Sequence, residues 1–293
     1  MSLLDSYILT SIKNLPLAAK TTIDGFMSGA NKSAVKGTGM EFSQYRKYLP
    51  GDDLRWMDWK MFARSDRYYI RESETETNIS LRLLVDTSAS MDHRDGTYSK
   101  MEYARYLAAS LAYLANMQGD AVGLYTLKEG GIFSLAARQG FQNLNRLMYE
   151  LEQAGPKGKF THPLYYKDIY SGGRKKELLV FITDMYQEKE EIYKLLDLLN
   201  ALRHEIIVLQ LMGRNEIELD YKGYTTLEDL ETGATIEVNA ASAAKAYKQV
   251  LKDHLDEIRQ QLLSKHIYHR LMIMDQPIDE ALRDFLYKRS KGY

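Results

Sequence analysis

A chain of 293 residues is long enough to bury a complete α/β core and leaves room for a second, smaller unit. Its 39 lysines and arginines nearly cancel its 40 aspartates and glutamates, which argues against binding polyanions or acidic lipid through bulk charge. The absence of cysteine excludes disulfides, thiolate nucleophiles and sulfur-bound zinc, and suits a reducing compartment.

In chain order, Leu4, Ile8, Ile12 and Leu15 recur at helical spacing and predict a short amphipathic helix docked on the protein's own core. The early Asp5 and the interrupting Lys13 do not suit a signal peptide, and no apolar run approaches the roughly 18–20 residues that span a bilayer. The expectation is a soluble, cytoplasmic protein. The stretch that follows is rich in glycine (Gly25, Gly29, Gly37, Gly39), charge and aromatics (Phe42, Tyr45, Tyr48, Trp56, Trp59, Phe62, Tyr68, Tyr69), without long helical periodicity. Pro50-Gly51 reads as a tight turn, and Glu72, Glu74 and Glu76 alternate as the wet face of a strand does. Trp56 and Trp59 are expected to form a small core, with Arg55, Asp58, Arg64, Asp66 and Arg67 pinning an irregular segment through internal ion pairs.

From residue 78 the pattern becomes strand, helix, strand, repeated. Strands are predicted at 79–85, 121–127, 132–135, 177–183, 205–212 and 268–274, and helices at 100–117, 144–153, 163–170, 188–202, 241–265 and 277–289. The runs ELLVFIT and EIIVLQLM are apolar without alternation, as in parallel strands buried on both faces. Residues 214–240, polar and β-prone around Glu231-Thr232-Gly233, suggest an inserted hairpin packing beside the N-terminal segment. The fold expected is α/β, a doubly wound, mostly parallel sheet over 78–293, with a small partly β subdomain in 1–77.

The strand at 79–85 runs directly into Asp86-Thr87-Ser88-Ala89-Ser90-Met91, at the carboxyl end where open parallel sheets bind ligands. Asp86, Ser88 and Ser90 place one carboxylate and two hydroxyls at alternate positions, hard oxygen donors that suit Mg²⁺ or Mn²⁺. Asp184 closes the strand ELLVFIT in the same way, and Thr161, after Gly155-Pro156-Lys157-Gly158, supplies a third loop on the same edge. Aspartate and serine at such turns also cap helices, and the residues alone leave that alternative open. The scattered histidines, His266 and His269 among them, lack the H-E-x-x-H context of a zinc protease.

DTSAS after a strand, Thr161 in a middle loop and Asp184 after a later strand resemble the metal-ion-dependent adhesion site of von Willebrand factor A domains, a Rossmann-like fold. The segment GTGMEFSQYRKYLPGDDLRWMDWKMFARSDRYYIRESETE is similar to the signature of the bacterial domain-of-unknown-function family fifty-eight, in which an A domain follows it. The resemblance implies that Ser88 and Ser90 bind the metal directly, Thr161 directly or through water, and Asp86 and Asp184 through water and hydrogen bonds. It further implies a vacant metal position filled by a partner's Asp or Glu, the partner being a MoxR-type AAA+ ATPase or its client. In the middle loop this chain carries Lys157-Gly158-Lys159-Phe160 instead of a run of glycines. The enzymatic alternative is a Mg²⁺-dependent phosphatase with Asp86 as nucleophile; the acid/base aspartate that such enzymes carry two residues on is Ser88 here.

Overall fold

The computed structural model describes residues 14–32, 44–48, 57, 59–65, 67–72, 79–96, 98–166, 169, 176–219 and 223–290. Leu4, Ile8, Ile12, Gly37, Gly39, Phe42, Pro50-Gly51, Arg55, Trp56, Asp58, Asp66, Glu74 and Glu76 therefore lie outside the described residues. The chain divides into two compact units, one spanning residues 33–78 and the other comprising the residues on either side of it.

In the smaller unit, β1 (Gln44–Lys47) pairs antiparallel with β2 (Tyr69–Glu72), and helix α2 (Trp59–Ser65) lies between them in sequence. The Phe62 and Tyr68 rings stack at 4.6 Å between centroids, with Tyr48 edge-on to Tyr68 at 6.2 Å. Trp59, expected in a core, is instead 60% exposed and meets only the edge of Phe62 among the described rings. Phe62, one helical turn further on, is half-buried and carries the ring stack instead.

The larger unit opens with helix α1 (Leu15–Lys32), which begins on Asn14, whose side-chain oxygen accepts the Leu17 N–H at 2.9 Å. The helix expected over Leu4–Leu15 lies, apart from Leu15, outside the described residues, whereas Gly25 and Gly29, expected in irregular chain, lie within α1. Glycine weakens a helix in isolation, but the buried Leu15, Ala19 and Ile23 seat α1 in the main core, so tertiary packing overrides propensity. The helix thus groups with the α/β body.

That body continues through β3 (Ser80–Asp86), a 3₁₀ turn (Ala89–Asp92), the short strands β4 (Arg94–Asp95) and β5 (Tyr98–Ser99), and α3 (Lys100–Met117). Next come β6 (Ala121–Lys128), β7 (Gly131–Arg138), α4 (Phe141–Gln153), a 3₁₀ turn (Pro163–Tyr165), β8 (Leu178–Thr183), α5 (Lys189–Ala201), β9 (Glu205–Met212) and α6 (Arg214–Glu218). The hairpin β10 (Tyr224–Glu228) and β11 (Thr235–Asn239) leads into α7 (Ala240–Ser264), β12 (Tyr268–Ile273) and α8 (Ile278–Ser290). Two expectations are refined: the predicted helix at 163–170 begins as a 3₁₀ turn on the side-chain cap of His162, and the insertion starts with the short α6 before its hairpin.

The main sheet has the order β12-β9-β8-β3-β6-β7, parallel except for the edge strand β7, which runs antiparallel to β6. Alternate residues of the strands feed two cores. Leu83, Val85, Ile182 and Leu209 pack under α1, α3, α4 and α8, whereas Leu84, Phe181 and Val208 pack under α5 and α7. The sheet is thereby covered on both faces, which is why its strands read as unbroken apolar runs. No helix among the described residues is long and apolar enough to cross a membrane.

One glycine is sterically required at the edge of this sheet. The register of β6 against β7 shifts between Val122 and Leu124, and a Cβ on the intervening Gly123 would lie 2.8 Å from the backbone of Leu135 and Ala137. Gly123→Ala is expected to destabilise the protein by about 1–3 kcal/mol, seen in urea unfolding as a lower midpoint at unchanged slope.

Candidate metal centre

Strand β3 connects through α3 to β6 on one side, and the chain then returns to lay β8 on the other side of β3. The order of strands reverses between β3 and β8, and at such a point the loops leave the sheet in opposite directions and open a crevice. Asp86 ends β3 and Asp184 follows the last residue of β8, so the two carboxylates flank that crevice.

Asp86 is fully buried and both of its oxygens are engaged. Its Oδ1 accepts the Ser88 N–H at 2.9 Å; its Oδ2 accepts the Thr183 hydroxyl at 2.8 Å and the Gln187 Nε2 at 2.5 Å. Burial, and then the neighbouring Asp184 carboxylate, push the Asp86 carboxyl up to about 7 against the pull of these donors. Ser88 stands at the start of the 3₁₀ turn but makes no side-chain cap, and its hydroxyl faces that of Ser90 at 3.1 Å. The helix that follows, α3, is capped instead by Ser99 in a capping box with Glu102. The two serine hydroxyls are therefore not used as caps.

Asp184 is equally buried and equally held. Its Oδ1 accepts the Tyr186 N–H and the Gln187 Nε2, each at 3.2 Å, and its Oδ2 takes the Lys100 ammonium at 3.1 Å. Helix α5 starts at Lys189 with no side-chain cap, so Asp184 is not its cap either. Lys100 also reaches Glu216 Oε1 at 2.8 Å and lies 4.6 Å from the centre of the Tyr186 ring. Burial pulls the Lys100 pKa down, but Asp184 and Glu216 outweigh it and the net shift is upward, keeping the ammonium charged. A cation at the N-terminus of α3 is opposed by the helix dipole, so these two carboxylates are what hold it there. Behind Asp184, Gln210 donates to its main-chain carbonyl at 3.2 Å and pairs with His269 at 2.9 Å.

The middle loop is tied to the Asp86 loop through its backbone: Lys157 N–H donates to Thr87 O at 2.9 Å and Ala89 N–H to Gly158 O at 2.8 Å. Gly158 sits at a φ of +66°, open to glycine at little cost. Thr161 is buried, and its hydroxyl donates to Lys128 O at 2.9 Å; among the described residues it makes no hydrogen bond to Asp86, Ser88, Ser90 or Asp184. The structure thus brings Asp86, Ser88, Ser90 and Asp184 into one network and leaves Thr161 on a bound loop beside it.

A further carboxylate enters from the β10–β11 hairpin. Glu231 faces the Ser88 and Ser90 hydroxyls and feels the charge of Asp184; burial, then Asp184, raise its pKa while the two hydroxyls lower it. Its Oε1 is buried and has no hydrogen-bond partner among the described residues. Among the described residues no three acidic, histidine or cysteine side chains form a metal-holding group by themselves, so any cation here depends on the serine hydroxyls. The donor set fits such an ion: two hydroxyls not used as caps, an unpartnered carboxylate oxygen, and two fixed carboxylates able to act through water.

The family model described as "Protein of unknown function DUF58" matches residues 44–257. The chain belongs to the DUF58 family. The match spans both units and includes Asp86, Ser88, Ser90, Thr161, Asp184 and Glu231. The uncharacterized protein Rv1480 of Mycobacterium tuberculosis is 25% identical over 246 residues, covering 82% of this chain and 76% of its own. Among solved structures, BatB from Bacteroides thetaiotaomicron is 13% identical, with a TM-score of 0.45 over 73% of this chain and 100% of its own. The von Willebrand factor A domain of SpRpn10 is 10% identical, with a TM-score of 0.40 over 70% and 94%. The DUF58 chain has an α/β fold built on a mostly parallel six-stranded sheet, with a small, partly β second unit.

Three residues of this DUF58 network escaped the sequence reading. Gln187, which bridges Asp86 and Asp184, and Lys100, which neutralises Asp184, carry no local motif. Glu231 stood out only as part of a turn. Its single sequence signal was an acid at the tip of an insertion in a chain whose proposed metal loops supply few carboxylates.

Proposed function

We propose that this DUF58 protein is a non-enzymatic adaptor that uses Mg²⁺, or Mn²⁺, to bind an acidic side chain of a protein partner. The observation that carries the reading is the pair of Ser88 and Ser90 hydroxyls, 3.1 Å apart, unused as helix caps and backed by Asp86 and Asp184. Ser88 and Ser90 would hold the ion directly. Asp86 and Asp184, fixed by Gln187, would orient its waters. Thr161 spends its hydroxyl proton on Lys128 O, leaving its lone pairs for the ion or for one of those waters. When bound, the cation supplies an electrophilic position that a carboxylate can fill. The partner this suits is a MoxR-type AAA+ ATPase or its client, by the family resemblance, presenting Asp or Glu.

A binding role, as against hydrolysis with Asp86 as nucleophile, is supported by the state of Asp86: both oxygens accept hydrogen bonds and neither reaches solvent. Purified MoxR-type ATPase from the same genome, immobilised and titrated with this chain, provides the test. Mg²⁺ is expected to strengthen binding at least about tenfold over chelator, and Ser88→Ala to remove the gain. Binding indifferent to both, or Mg²⁺-dependent phosphatase turnover abolished by Asp86→Ala, contradicts the proposal.

A further inference from the structure

The hairpin that delivers Glu231 is built unlike the rest of the α/β unit. Neither β10 nor β11 contains a buried residue, and Tyr224 and Ile236 are among the exposed large side chains. Such a hairpin gains little from apolar burial and is cheap to displace. Its tip, by contrast, is rigidly made. Asp229 Oδ1 accepts the N–H groups of Glu231 at 2.9 Å and Thr232 at 3.2 Å, and Oδ2 accepts the Thr232 hydroxyl at 2.7 Å. Gly233, at a φ of +70°, returns its N–H to Asp229 O at 2.7 Å, and Asp229 N–H closes on Ala234 O at 2.8 Å. This loop fixes the backbone from which Glu231 projects.

At the far end of that projection stand the two serine hydroxyls and the charge of Asp184, with Glu231 Oε1 buried and, among the described residues, without a hydrogen-bond partner. A buried, unpartnered carboxylate oxygen among other carboxylates is costly. Lys100 is committed to Asp184 and Glu216, and Lys159 acts on Asp229 rather than on Glu231. A divalent cation between Glu231 and the serines would remove that cost.

We propose that Glu231 is a ligand of the cation held by Ser88 and Ser90, so that the β10–β11 hairpin closes the centre in cis and a partner's carboxylate must displace it. The inference rests on the reading above that the serines hold a cation, and it adds what that reading lacks: the resting occupant of the position a partner takes. The site is gated by competition between one internal acid and one external acid. A weakly packed hairpin carrying a stiff tip suits that exchange, since the tip swings away as a unit.

Water-proton relaxation of Mn²⁺ titrated into the full chain reads both its affinity and its exchangeable waters. Glu231→Ala is expected to bind Mn²⁺ about tenfold more weakly and to leave the ion with about one more water. Amide hydrogen exchange at the 229–234 tip is expected to slow with Mn²⁺ in the wild type and to ignore Mn²⁺ in the variant. In chelator, Glu231→Ala should melt no lower than the wild type, since it removes a buried carboxylate oxygen that lacks a partner. Equal affinity and hydration in the two proteins, with tip exchange insensitive to Mn²⁺, overturns Glu231 as a ligand and leaves the serine centre standing. A wild type that binds no Mn²⁺, or binds it as tightly after Ser88→Ala, overturns both.

Discussion

Asp86→Asn is expected to move metal binding and metal-free stability in opposite directions. Asparagine preserves the shape of the side chain: its one amide oxygen can accept the Ser88 N–H, and its NH2, standing where Oδ2 stood, can donate to a rotated Thr183 hydroxyl or a flipped Gln187 amide oxygen, so the loop should keep its course. Without metal, the wild-type Asp86 carboxyl, pushed up to about 7 by burial and then by Asp184, holds its proton in the folded state over a range where the unfolded chain has released it. The folded pKa lies above the unfolded one. The associated stability is therefore full below about 4 and is lost as pH rises through 7, a total of up to about 4 kcal/mol. Asp86→Asn should lack this decline and melt higher than the wild type at pH 8 in chelator. In Mg²⁺ the order reverses: the variant loses the charge that orients the ion's water and should bind at least about tenfold more weakly. Thermal unfolding at several pH values, with chelator and with Mg²⁺, checks both signs. A variant that is destabilised without metal yet retains Mg²⁺ affinity contradicts the role given to Asp86.

The second large effect lies at the opposite end of the same strand. Arg82 of β3 is almost wholly buried and is met by Glu177 at 2.7 Å and by the Tyr125 hydroxyl at 2.6 Å, with its guanidinium also 4.7 Å from the centre of the Tyr125 ring. Glu177 is held in turn by Ser80 at 3.1 Å and bonded through its N–H to His204 at 3.1 Å. Glu177→Ala leaves a guanidinium in the sheet interior without its counter-charge and should cost about 3–5 kcal/mol. Replacing both partners, as Arg82→Met with Glu177→Leu, should recover most of that loss, since two desolvated charges are removed together. Urea unfolding of the single and double variants measures this coupling, and a single variant within 1 kcal/mol of wild type would show that water already solvates the pair.

The parts of the molecule legible in the sequence are those whose signal is local. LLVFIT and EIIVLQLM announce buried parallel strands because burial on both faces suppresses alternation, and both lie in the central sheet. The serine hydroxyls could be read for the same reason, since they share one loop at the end of one strand. Helix α1 gives no clear sequence signal because its stability comes from packing on the core rather than from its own residues, which include two glycines. The residues that tune the centre were hidden by distance along the chain. Gln187 reaches Asp86 across 101 positions and Lys100 reaches Asp184 across 84, pairings that only the strand order creates. Glu231 combines both difficulties: it is remote, and its own stretch is shaped by an Asx-stabilised turn that reads as nothing more than a turn.

Crystals of the full chain soaked in Mn²⁺ and measured at the manganese absorption edge test the central claim most directly. A single anomalous peak bridging the Ser88 and Ser90 hydroxyls, with Asp86 and Asp184 unmoved behind it, is the result expected. Crystals saturated with Mn²⁺ that show no peak there, with the two hydroxyls turned to backbone groups instead, would contradict it.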